Sequence, residues 1–275
     1  MPNDPLYAYV NNTKLAYFES GAGEPVILVH GAVTDHRFWS PQVQALTDRY
    51  RWIALDQRYF GQSWPGGDRA FGLAAHAADL CQFLQAVVRE PVHVVATSYG
   101  SGVVLAGAVQ FPTLFKSLFL NEPSLVSLVT NPSDLSVIAQ ARKDLAPVAT
   151  ALAEQNESGA VELFCDWTAY SGAFKSLSEE FRTVFLENAR TVQLQVAAPR
   201  PTVTSAEIAQ LRMPVTFTTG EKTIPFFAVQ VRAAHGAIPH SRLVTIPDAH
   251  HAPSFENPAA FNAALHAHLE SNTAA

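Results

Sequence analysis

Basic residues, cysteines and long apolar runs are all scarce in this chain of 275 residues. Lysine and arginine together number 18 against 24 acidic residues, for a net charge of −6, and they form no cluster. A phosphate backbone calls for a basic stripe, so no nucleic-acid partner is expected. The two cysteines, Cys81 and Cys165, lie far apart and form no CxxC pair. That argues against a disulfide framework and a thiolate metal site, and both read as buried thiols. No apolar stretch approaches the length of a membrane span. The opening Met1-Pro2-Asn3-Asp4-Pro5 has neither the basic start nor the apolar core of a signal peptide. No membrane partner and a cytoplasmic location are the expectations.

What is present is apolar. With 48% apolar and only 15% charged residues, the chain has the composition of a compact globular protein. Apolar runs bounded by turn residues alternate with helical patterns, the signature of a mostly parallel sheet covered on both faces. Leu6–Val10 and Lys14–Ser20 flank Asn11-Asn12 as an opening hairpin. Further strands are predicted at Val26–His30, Trp52–Leu55, Val92–Ala96, Ser117–Asn121, Val215–Thr219 and Leu243–Ile246. Helices are predicted over Ala74–Val88, Gly102–Gln110, Phe226–His235 and Ala259–Glu270. Between Ser124 and Thr204 the pattern is helical only (Ser136–Ala153, Val161–Trp167, Ser178–Ala189) and ends at Pro199-Arg200-Pro201. Residues 124–204 therefore read as a helical cap inserted into a core formed by 1–123 and 205–275.

Ala96-Thr97-Ser98-Tyr99-Gly100 stands between an apolar strand and a helix made of small residues. A serine hydroxyl needs a base and nearby backbone N–H groups before it can attack a carbonyl. A tight strand-to-helix turn supplies both, provided small residues stand two before and two after the serine. Ala96 and Gly100 meet that need, with Ala in place of the usual first glycine. The expected fold is thus α/β, with an eight-stranded, mostly parallel sheet, helices on both faces and the helical cap.

With three further segments the chain resembles the α/β-hydrolases over nearly its whole length. His30-Gly31-Ala32 ends the third strand. The resemblance implies an oxyanion hole from the backbone N–H of Ala32 and of Tyr99. Asp56–Ser63 resembles the family's D-x-R-G-x-G-x-S turn, with Tyr59 for a glycine, and is mainly structural. Asp248-Ala249-His250-His251-Ala252-Pro253 followed by Glu256-Asn257-Pro258 resembles its histidine loop. Alignment on that loop selects His251 as the base and leaves His250 at the pocket rim.

The family's usual acid follows the seventh strand, where Gly220-Glu221-Lys222-Thr223 carries Thr223 in its place. A threonine cannot orient and stabilise an imidazolium. Glu122, at the end of the sixth strand, is the substitute. Neighbouring strands run roughly 4.8 Å apart, so its carboxylate can reach the same imidazole. Zearalenone lactonases in this family place their acid there. Glu221 and Asp248 remain as alternatives.

Phe38, Trp39, Phe164, Trp167 and His250 are the candidate substrate contacts. Small-molecule pockets are largely apolar. Tyr170 and Phe174 are read with them as cap aromatics. Asp35-His36-Arg37 reads as structural, and Gly21-Ala22-Gly23 as a plain turn. No HExxH or comparable spacing occurs, and no feature calls for a metal or other cofactor.

The resemblance implies a serine hydrolase acting on a carboxylic ester or lactone of a small to medium apolar molecule. The alternatives are a C–C bond hydrolase of the same fold and a non-catalytic ligand-binding protein. Dehalogenases and epoxide hydrolases of this fold use an aspartate nucleophile, which the serine disfavours.

Overall fold

The computed structural model describes residues 4–46, 49–64, 70–199 and 202–273. Strands β1 (Leu6–Val10), β2 (Thr13–Ser20), β3 (Glu24–Val29), β4 (Tyr50–Leu55), β5 (Val92–Thr97), β6 (Phe115–Asn121), β7 (Val215–Gly220) and β8 (Arg242–Ile246) form one sheet. Its order is β1-β2-β4-β3-β5-β6-β7-β8. The β1–β2 and β2–β4 pairs are antiparallel, and every other pair is parallel. All eight expected strands form, each within two residues of its expected ends.

Helices cover both faces. On one side lie α2 (Leu73–Phe83), α3 (Ser98–Gln110) and α11 (Pro225–Ala237); on the other lie α1 (Ser40–Ala45) and α13 (Pro258–Asn272). The alternation of a strand's side chains divides the core accordingly. Ile27, Val29, Val94 and Leu118 pack under α2, α3 and α11. Val26, Leu28, Val95 and Phe119 pack against Trp39, Val43, Phe261 and Leu265 of the opposite layer.

Between β6 and β7 the described residues hold α4 (Pro132–Asp144), α5 (Ala146–Ala153), α6 (Glu157–Thr168), α7 (Ala173–Ser176), α8 (Glu179–Glu187), α9 (Thr191–Ala197) and α10 (Ser205–Ile208), with no strand. Val148, Ala160, Val161, Cys165, Phe174 and Val192 give these helices a small core of their own. The expected single helix over 136–153 is two. Pro147 lacks an N–H and sits in the first turn of α5, where the preceding helix must already have ended. The expected Ala74–Val88 helix is α up to Phe83 and winds into a π-helical turn over Leu84–Val88. The short helices α7, α9, α10 and α12 (Pro253–Glu256) carry too few turns to announce themselves by periodicity. Of the expected Pro199–Pro201 boundary, Arg200 and Pro201 lie outside the described residues.

Candidate active site

The carboxyl ends of β3, β5, β6 and β8 face one region, where open α/β sheets gather their functional loops. Ser98 begins α3 directly after β5. Its φ of 53° is a left-handed conformation that a non-glycine residue holds only when its surroundings impose it. The surroundings are tight. A Cβ on Gly100 would lie 2.3 Å from the His30 carbonyl oxygen, so only glycine lets α3 approach β3 this closely. A Cβ on Gly31 would stand 3.3 Å from that of Ser98, which places the loop after β3 against the serine.

Strand register does the rest. Thr97 pairs with Asn121, and Asn121 pairs with Thr218. Ser98 and Glu122 therefore leave adjacent strands side by side, and Glu122 emerges beside Thr219. Glu122 is fully buried, and φ is 37° there. Its Oε1 accepts hydrogen bonds from Thr219 Oγ1 at 2.7 Å and the Gly220 N–H at 2.9 Å. Its Oε2 accepts from Thr223 Oγ1 at 2.9 Å and lies 2.5 Å from His251 Nδ1. On the far side of the ring, His251 Nε2 stands 2.9 Å from Ser98 Oγ. A carboxylate, an imidazole and a hydroxyl thus form one hydrogen-bonded chain. With the Nδ1 proton held by an anion, Nε2 is left bare to accept the serine proton.

The other two carboxylates considered at this point turn elsewhere. Asp248 pairs with Lys222 at 2.9 Å, and Glu221 accepts from the Asp248 N–H. His250 also faces away from the serine, its N–H and Nδ1 both engaged by Glu256.

Three supports are not legible in sequence. Phe227 of α11 stacks face-on against the His251 ring, centroids 3.5 Å apart and planes 10° from parallel. Asn121 donates from Nδ2 to the His251 carbonyl and to Thr97 Oγ1, tying the histidine loop to the strand before the serine. Behind the turn, His76 Nε2–H donates to the Arg58 carbonyl, which leaves Nδ1 to accept from the Tyr99 hydroxyl at 2.7 Å. Burial and the Arg58 cation hold His76 down at about 3, and burial raises the Tyr99 phenol, so both stay neutral. These contacts hold Tyr99 through its side chain, while its N–H belongs to the first turn of α3, where no intrahelical acceptor exists.

A cavity of about 280 Å³ opens over Ser98 and His251, between the loops of the sheet and helices α6 to α8. Ala32, Phe38 and Phe164 line it, as does Tyr170. Cys165 lines it too, its thiol pushed up to about 12 by burial and inert. Three expected contacts are corrected. Trp39 is fully buried behind Phe38, in the core against α13, because it closes the 3-10 turn His36–Trp39 that leads into α1 with its ring against Phe261. Trp167 packs edge-on against Phe226 and Phe227, one layer behind the His251 ring. His250 is not on the wall, and its ring stacks loosely on Tyr170 at the rim. Phe174 belongs to the small core of the inserted helices as well as to the wall's backing.

Asp35, His36 and Asp56 bring three metal-type donor atoms within 4.8 Å of one another. Each is already committed: Asp35 to the Arg37 guanidinium and Asn188, and Asp56 to the ring and N–H of His36 and to the Gln62 N–H. The group acts as a buried brace for the loop after β3, in keeping with its structural reading.

Known proteins share this fold. A curated relative from Acinetobacter baylyi, an (E)-2-((N-methylformamido)methylene)succinate hydrolase, is 31% identical over 115 residues, which are 39% of this chain and 41% of that one. The chain spans about two fifths of the length of the curated relatives it matches at this level. Among solved structures, a thermophilic esterase from Thermogutta terrifontis superposes with a TM-score of 0.78 at 23% identity, covering 98% of this chain and all of that one. An enol-lactonase from Burkholderia xenovorans gives 0.76 at 19% identity, over 96% of this chain and 100% of its own. The family model for the alpha/beta hydrolase fold matches residues 24–258, from β3 through the histidine loop. With its sheet order, its serine turn and that match together, this chain belongs to the α/β-hydrolase fold family.

Proposed function

We propose that this protein is a serine hydrolase that cleaves a carboxylic ester or lactone of a small to medium apolar substrate. The observation that carries the reading is the chain Glu122–His251–Ser98, with its contacts of 2.5 and 2.9 Å. Ser98 Oγ attacks the acyl carbonyl as His251 Nε2 takes its proton. Glu122 holds the Nδ1 proton and stabilises the imidazolium as it forms. The N–H groups of Ala32 and Tyr99 receive the developing oxyanion, each worth roughly a hundredfold in rate. His251 then returns its proton to the leaving alcohol. Water, activated by the same imidazole, releases the acid from Ser98.

Residues 124–204 act as a cap over the core formed by 1–123 and 205–275, and their helices set the substrate's size. A dry cavity of about 150 Å³ accepts benzene. The 280 Å³ here suits an aliphatic or single-ring group better than a lipid chain. The Acinetobacter baylyi relative, named as a hydrolase, supports hydrolysis in general and carries no weight on substrate.

The test is turnover of p-nitrophenyl esters of increasing acyl length and of several lactones, with Ser98→Ala and His251→Ala as controls. Turnover should fall at least a thousandfold in either variant. Serine-independent turnover, or none on any ester or lactone from folded protein, would overturn the proposal.

A further inference from the structure

The lining of the cavity over Ser98 is uneven in charge. Among the described residues its wall carries no lysine or arginine, and its one carboxylate is Glu256, at the end of α12. Two basic side chains flank the wall in sequence, but they are engaged elsewhere. Lys175 pairs with Glu162 at 2.7 Å, and Arg182 donates to the carbonyls of Lys175 and Leu177. Glu256 is held in place, its Oε2 accepting from the backbone N–H of His250 and its Oε1 facing that residue's Nδ1 at 3.2 Å. Most of the remaining wall is apolar or aromatic, with Phe181 and Phe255 packed on one another beside Glu256.

An ionised carboxylate leaves water only when a cation or several donors await it, and a second carboxylate nearby makes the transfer worse. We infer that Glu256 is a specificity-determining residue that makes the site reject substrates bearing a carboxylate and accept their neutral counterparts. The inference rests on the hydrolase reading above and concerns substrate choice within it.

Dimethyl adipate and monomethyl adipate present the same methyl ester on the same chain, and the charged one is the smaller. At pH 8 the kcat/KM of the monoester should be lower by at least about a hundredfold, beyond the statistical factor of two. Because the larger molecule is the favoured one, size cannot produce that order. Glu256→Gln keeps an acceptor for the His250 N–H and removes the charge. It should narrow the ratio by about tenfold, whatever its effect on the neutral ester. Equal turnover of the two esters, or an unchanged ratio in Glu256→Gln, overturns the inference while leaving the hydrolase intact.

Competition keeps the question answerable if neither adipate ester is turned over or the variant does not fold. Against p-nitrophenyl acetate and the native enzyme, neutral adipamide should inhibit at concentrations at least tenfold below those at which adipate does. Inhibition by adipate at the same or lower concentration would overturn the inference. Loss of all Ser98-dependent turnover on every ester would instead overturn the hydrolase reading.

Discussion

At the residue scale, the informative position is Thr223. In the sequence it is a gap, a threonine where relatives carry the acid. In the structure its hydroxyl donates to Oε2 of Glu122, the oxygen that faces His251. The residue standing where the resemblance places an acid thus helps to hold the candidate acid, Glu122. Four donors converge on Glu122, and a glutamine offers only one carbonyl oxygen to receive them. Glu122→Gln is therefore expected to lower kcat by roughly 10⁴-fold. It should also cost about 1–3 kcal/mol of stability, because an NH₂ must face a donor. Thr223→Val removes a single donor, and about a tenfold loss in kcat with a smaller loss of stability than in Glu122→Gln is expected, both recovered in Thr223→Ser. Steady-state kinetics alongside thermal melts separate the two cases. A Thr223→Val enzyme with full activity would show that the hydroxyl does not help position the acid. Glu122 was open to sequence reasoning as a candidate, through the family resemblance that leaves Thr223 without a carboxylate and through the strand that precedes Glu122. Thr219, Asn121 and Phe227 were not, because their roles follow from register and from a helix packed across the sheet.

At the scale of elements, the question is what fixes the inserted helices over the sheet. Asn188, one residue beyond α8, is almost wholly buried. Its Oδ1 accepts from the Gly61 N–H at 2.8 Å, and its Nδ2 donates to Asp35 Oδ2 and to the Val184 carbonyl. One side chain thus joins α8 to the turn after β4 and to the loop after β3 that carries Ala32. Nearby, Arg37 bridges Asp35 and Glu187, but Glu187 is more than half exposed. Burial decides which contact matters. Asn188→Ala leaves the half-buried Gly61 N–H without this acceptor and takes one donor from Asp35 Oδ2, which keeps Arg37, and should cost about 2 kcal/mol. Glu187→Gln removes a solvent-screened ion pair and should cost less than about 1 kcal/mol. Chemical denaturation of the two variants checks the order, and a larger loss in Glu187→Gln would refute it. No pattern in the sequence singles out Asn188, since a lone asparagine after a helix reads as a turn residue.

At the scale of the whole molecule, buried histidines set the response to acid. Burial and the Arg58 cation hold His76 at about 3. His268 is held at about 3 by burial and by nearby His93 and Arg242. Burial also lowers His30 and His93. All four are more reluctant to take a proton folded than unfolded, where an imidazole titrates at roughly 6.5. Below that pH the unfolded chain binds protons that the native protein refuses, so stability falls as pH falls from about 6.5 toward about 3. Above 6.5 these groups contribute no slope. The melting temperature should hold steady from pH 8 to 7 and drop progressively below 6.5. His268→Gln, far from the serine, should flatten that drop when melts are recorded across pH 5–8. A native melting temperature constant down to pH 5 would contradict the account.

By itself, the sequence determined the strands and the longer helices. Period-two and helical patterns are local properties of a chain, so all eight strands and the strand-to-helix setting of the serine could be located from spacing, while the histidine loop was located by its resemblance to the family's motif. The tertiary structure decided everything that depends on neighbours distant along the chain. It set Thr97 beside Asn121 and Asn121 beside Thr218, which brings Glu122 under His251. It also turned Trp39 into the core and gave Phe227, not Trp167, the face of the His251 ring. Side-chain direction and strand register are fixed by packing against partners tens to hundreds of residues away, and no local pattern encodes them.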